Sequence, residues 1–131
     1  MKAREALLSI EEIVKNFGDQ RAIGSYYLEF SRRLEVLKLA EEYCRHGSTV
    51  LDLGAQPFII SCALMKMGFN VAAFDIDPES YREIADACDV SVVRCDLDGR
   101  CSNPYYTKYS IIIQKTEAIA RYTTTVQVSR S

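Results

Sequence analysis

Little in this sequence of 131 residues favours a charged polymer or a lipid bilayer as partner. Sixteen basic residues face 18 acidic ones, a net charge of −2, and neither sign forms a long run. Nucleic acid as a substrate is therefore unsupported. No apolar stretch approaches the roughly 20 residues that a membrane helix needs, and the N-terminus lacks the basic-then-apolar order of a signal peptide. No membrane is expected, and the cytoplasm is the expected location. Histidine occurs once, as His46 just before Gly47, where it reads as a helix-terminal charge complement rather than a catalytic base. The five cysteines, Cys44, Cys62, Cys88, Cys95 and Cys101, are odd in number and scattered. They are expected to be reduced core residues, and the spacing of Cys95 and Cys101 matches no metal motif.

What is present fits one compact domain, since the length suits a single core and 48% of the residues are hydrophobic. The opening residues predict two helices, one from Ala3 to Phe17, stopped by Gly18, and one from Ser25 to His46, stopped by Gly47. Thr49–Leu53 then forms a near-continuous apolar run, the pattern of a parallel strand covered on both faces. A helix over Phe58–Met67 is apolar nearly all round. It leads into a second strand, Val71–Asp75, after which Asp77 and Pro78 suit the start of a helix running to about Ala87. Strand and helix alternate, which implies right-handed crossovers and a mainly parallel sheet.

The turn after the first strand carries the functional signal. Val50-Leu51-Asp52-Leu53-Gly54-Ala55-Gln56-Pro57-Phe58 places a single glycine at the strand end, and Asp75 closes the second strand about 20 residues later, the separation at which a carboxylate reaches ribose hydroxyls. A dinucleotide pyrophosphate needs a second and a third glycine so that backbone N–H groups can approach it, and those places hold Gln56 and Phe58. The pattern therefore points to a nucleoside ligand without phosphates. Asp75 has a plainer reading as the flank of the next helix.

These residues resemble the class I S-adenosylmethionine-dependent methyltransferases of Rossmann-like fold. The resemblance spans roughly residues 48 to 118. It rests on Val50–Phe58, on Phe74-Asp75-Ile76-Asp77-Pro78, on Val92-Val93-Arg94-Cys95-Asp96-Leu97 and, more loosely, on Tyr109–Glu117 as a fourth strand. It implies an α/β three-layer sandwich with strand order 3-2-1-4, and a single unit divided into N-terminal helices (1–47), core (48–118) and tail (119–131). The resemblance further implies S-adenosyl-L-methionine as cofactor. Gly54 and Ala55 would supply close backbone approach, Asp52 would orient the methionine amino group, and Gln56 would belong to the same loop. Asp75 would bind the ribose, Ile76 would pack on adenine, and Asp96 with the Leu97 backbone would meet the adenine edge. Phe58, standing where the family has small residues, would narrow the space near the methionine moiety.

The resemblance also implies methyl transfer to an unidentified acceptor, small or macromolecular, with no dedicated nucleophile and so no named catalytic residue. The competing reading is an inert nucleoside-binding or protein-interaction module, because the chain ends where the family's sheet would continue. Asn103-Pro104-Tyr105-Tyr106 is similar to a target-holding motif of amino-methylating members, but it precedes the fourth strand and reads as a turn. Tyr26 and Tyr27 could close over the methionine end, although helix packing accounts for them. A strand as apolar as Ile111-Ile112-Ile113 needs cover, either from the tail Tyr122–Val128 returning as a strand or from a homodimer through the fourth-strand edge.

Overall fold

The computed structural model describes residues 1–96 together with the backbone of two strands, 111–118 and 121–128. The parallel strands are β1 (Thr49–Leu53), β2 (Asn70–Asp75), β3 (Ser91–Arg94) and β4 (Ile111–Ala118), and β5 (Arg121–Val128) runs antiparallel beside β4. The sheet order is β3-β2-β1-β4-β5. Register carries Val50 opposite Val71 on one side and Ile111 on the other, so β1 is central. The tail thus returns on β4, from Ile111 opposite Val128 to Ala118 opposite Arg121. β4 is flanked on both sides, and the edge through which a homodimer was expected belongs to β5.

Six helical segments accompany the sheet: α1 (Ala3–Ser9), α2 (Glu11–Phe17), α3 (Gln20–Leu28), α4 (Phe30–Tyr43), α5 (Ile59–Lys66) and α6 (Arg82–Ala87). All six contribute to one apolar cluster with Val50, Val71 and Ala73. The alternate side chains Leu51, Leu53, Ala72 and Phe74 are buried on the opposite face with Cys95. The side chains of each strand divide between the two faces, as a period of two requires.

The expected pair of N-terminal helices is four segments. The first break falls at Ile10, next to Ser9, whose hydroxyl donates to the Ala6 carbonyl at 2.6 Å. Such bonding competes with the helical ladder at this point, and Ile10 between the two segments is fully buried. The second break falls at Glu29. α3 starts earlier than expected because Asp19 caps it, accepting from the Ala22 N–H at 2.9 Å. α4 ends at Tyr43, so His46 lies beyond its last turn and does not cap it. Its ring instead covers Gly68, where an added Cβ would come within 2.5 Å of His46 Cε1.

Two further boundaries shift. Phe58 is the residue before α5, with φ 70°, and not its first turn. Asp77 does not cap α6, which begins at Arg82. It closes the preceding turn by accepting from the Ser80 hydroxyl and from the N–H groups of Glu79 and Ser80. Cys44, Cys62 and Cys88 are free, as expected. Cys95 departs from the reduced set: it carries a disulfide. Leu97, Cys101 and Asn103–Tyr106 lie outside the described residues. No described helix is long and apolar enough to cross a membrane.

Candidate nucleoside-binding site

A cavity of about 740 Å³ opens where the carboxyl ends of β1 and β2 meet α3 and the start of α4. Ligands of open α/β sheets bind at this end of the strands, and the volume is in the range of small-molecule sites. Gly54, Gln56 and Pro57 line it from the β1–α5 loop, Asp75 and Ile76 from the end of β2, and Ser25, Leu28, Glu29, Arg32 and Arg33 from the helices.

The loop is tied down by hydrogen bonds to β2. Gly54, at φ 68°, turns the chain out of β1, a conformation that glycine adopts without a Cβ penalty. Its N–H and that of Ala55 both donate to the Phe74 carbonyl, at 2.8 and 3.1 Å. The Gln56 N–H donates to Asp75 Oδ2 at 3.0 Å, and the Asp77 N–H to Asp75 Oδ1 at 3.0 Å. Phe58 N–H closes the turn on the Ala55 carbonyl at 2.7 Å. Asp75 is 8% exposed and acts as a clasp between two loops. An ionised carboxylate has about four acceptor positions, so two remain for ligand hydroxyls.

This arrangement also decides against phosphates. Every backbone N–H from Gly54 to Phe58 is engaged by a protein acceptor, and Pro57 has none to offer. A pyrophosphate would find no free donor in the loop, whereas a nucleoside held through its ribose needs none.

Of the sequence-predicted residues, Gly54, Gln56, Asp75 and Ile76 come together on the cavity, with Ile76 62% exposed at its rim. Asp52 and Ala55 are fully buried and do not line it. Asp52 accepts a 2.6 Å hydrogen bond from Ser61 on α5, itself fully buried. Asp96 is exposed after β3, beside the β2 end, and is not among the residues that line the cavity. Phe58 is fully buried in the helix-side core and lines no part of the cavity, so it does not narrow the site. Tyr26 is core as well, its hydroxyl donating to the Leu7 carbonyl at 2.8 Å, and Tyr27 is half-exposed. Neither tyrosine lines the cavity.

Of the residues on or beside the cavity that the sequence did not single out, Arg33, Ser25 and Ser61 matter most to its chemistry. Arg33 is 2% exposed, and its guanidinium donates to the Ser25 carbonyl at 2.8 Å and to the Ser25 hydroxyl at 2.7 Å, bridging α4 to α3 across the Glu29 break. Burial pulls its pKa down to about 10, while the nearby Glu29 and Asp52 charges work in the other direction. Ser61 is the third, through its bond to Asp52. The signal for Arg33 was available: it lies three residues after Phe30 and four before Leu37, on the apolar face of α4. Among the described residues no group of three His, Cys, Asp or Glu side chains could hold a metal ion.

No protein-family model matches the chain. Over 63 residues it is 49% identical to the ribosomal protein L11 methyltransferase of Campylobacter hominis, a match covering 48% of this chain and 19% of that protein. Among solved structures, an S-adenosyl-L-methionine-dependent methyltransferase assignment from Methanococcus maripaludis aligns with a TM-score of 0.53 and 16% identity, over 83% of this chain and 48% of the other. A variant of MtNAS in complex with S-adenosylmethionine aligns with a TM-score of 0.51 and 21% identity, over 86% and 56%. The chain thus spans about half the length of these structures and a fifth of the curated relative. Its fold is that of the class I S-adenosylmethionine-dependent methyltransferases.

Proposed function

We propose that this chain binds S-adenosyl-L-methionine in the cavity between α3 and the ends of β1 and β2, and transfers its methyl group to an acceptor. The observation that carries the reading is Asp75: a nearly buried carboxylate at the end of β2, beside Gly54, with hydrogen-bonding capacity left after its two backbone contacts. The donor set fits the ligand, because the ribose requires acceptors and no phosphate requires the loop N–H groups.

In this reading Asp75 accepts from the ribose hydroxyls. Gly54 allows the ligand to approach the loop backbone, and Gln56 holds the loop to β2. Ile76 presents an aliphatic surface to adenine, and Asp96 with Leu97 forms the adenine edge. Ala55 packs beneath the loop, and Asp52, held by Ser61, supplies a fixed negative field behind it. The bound sulfonium supplies an already activated methyl group. The chain's own task is positioning, and positioning alone can lower a barrier by several kcal/mol. The acceptor, small molecule or macromolecule, is left open.

Calorimetric titration with S-adenosylmethionine and S-adenosylhomocysteine tests the cofactor, with NAD as the phosphate-bearing comparison. Saturable binding of the first two and none of NAD is expected. Absence of binding to folded protein refutes the reading, and binding without turnover on any acceptor would support the inert module.

A further inference from the structure

Resting on the cofactor reading above, we infer that Arg33 forms a carboxylate-recognition subsite at the α3–α4 junction, taking the methionine carboxylate of the bound ligand. A guanidinium has five N–H donors. Arg33 places two on Ser25, its Nε meets no acceptor among the described residues, and no described carboxylate pairs with it. A buried cation that touches no carboxylate is costly even with Glu29 and Asp52 nearby, and the cost falls when an anion arrives in direct contact in the same low-dielectric pocket.

The carboxylates on the cavity wall are already committed. Glu29 pairs with Arg32, and Asp75 accepts from two backbone N–H groups. Arg21 adds positive charge to the same wall without an ion pair of its own among the described residues. The position also suits the ligand. Asp75 closes the end of β2, while Arg33 lies near enough to Asp52 of β1 to feel its charge. A ligand with its ribose on Asp75 that lies across Gly54 extends toward Arg33. The end of S-adenosylmethionine remote from the ribose carries a carboxylate. Ser25 holds the guanidinium fork in place for a two-point contact, the geometry in which arginine binds carboxylates most strongly.

The test compares ligands that differ only at that end. S-adenosylhomocysteine and 5′-methylthioadenosine are titrated into the wild type and Arg33→Met. Arg33→Met is expected to weaken S-adenosylhomocysteine by at least about tenfold while leaving 5′-methylthioadenosine within about twofold. Equal effects on both ligands, or none on either, would overturn the subsite. The wild type alone gives a second readout, since S-adenosylmethionine should bind at least about tenfold more tightly than its decarboxylated form. Equal affinities there would also overturn it. The cofactor reading fails separately, if neither S-adenosylhomocysteine nor 5′-methylthioadenosine binds the wild type.

Discussion

Replacing Asp75 with alanine should do two separable things. In the ligand-free protein it removes the acceptor of two backbone N–H groups, those of Gln56 and Asp77, each at 3.0 Å from a carboxylate oxygen. Hydrogen bonds to charged groups are worth about 1.5–3 kcal/mol each. Both donors sit on half-buried residues that water can reach, so the net loss should fall near 2 kcal/mol, about 8 °C in Tm for a domain of this size. In the complex the variant also loses two ribose contacts, about 3 kcal/mol or roughly a hundredfold in affinity. Thermal unfolding without ligand reads the first effect, and calorimetry well below the melting range reads the second. A variant that melts with the wild type refutes the clasp. One that melts early but binds S-adenosylmethionine normally refutes the ribose assignment.

Ser61→Ala removes a hydroxyl that donates to a fully buried Asp52 oxygen at 2.6 Å and should cost about 2–3 kcal/mol in chemical denaturation, whereas a loss under about 0.5 kcal/mol would contradict the bond's weight. Phe58→Ala should cost about 3–5 kcal/mol, as expected for a buried aromatic, yet leave affinity per folded molecule unchanged, because the ring is in the core; tighter binding would restore the idea that it narrows the site. Stability should hold below pH 9 and fall above it. Burial raises the Cys44 thiol from 9.0 to about 11 and, chiefly, the Tyr26 phenol from 10.0 to about 12, so the unfolded chain releases these protons first. Urea midpoints measured from pH 8 to 10.5 that stay level would refute this.

The elements that were legible in the sequence are those whose cause is local. Thr49–Leu53 is bounded by its own apolar run and by Gly54, and the strand has those limits. The spacing of Gly54 and Asp75 brought both to one cavity. The helix breaks were not legible because the apolar period continues through Ile10 and across Glu29. What lies beside the breaks is side-chain chemistry that the apolar period does not show, the Ser9 hydroxyl on Ala6 and the Arg33 fork on Ser25. Asp77 followed by proline has the signature of a helix cap, but its carboxylate is used by Ser80 and Glu79 in a turn that delays α6 to Arg82.

The departure of the loop from a glycine-rich pattern is consistent with the nucleoside ligand proposed above. A loop that must offer N–H groups to a pyrophosphate has to leave them free, and glycine permits that approach. Here the four N–H groups of Gly54, Ala55, Gln56 and Phe58 all serve to fasten the loop, two to the Phe74 carbonyl, one to Asp75 and one across its own turn. Larger side chains are then tolerated where glycine would otherwise be needed, and Phe58 uses the space by packing into the core. The same bonds fix Asp75 before any ligand arrives, so in the proposed complex a ribose would meet a carboxylate already in place and little ordering cost would remain. Binding should therefore leave the loop backbone nearly unmoved. Amide hydrogen exchange at Gly54–Phe58 should already be slow in the free protein, and exchange that slows sharply only on adding S-adenosylhomocysteine would show that the clasp forms with the ligand instead of preceding it.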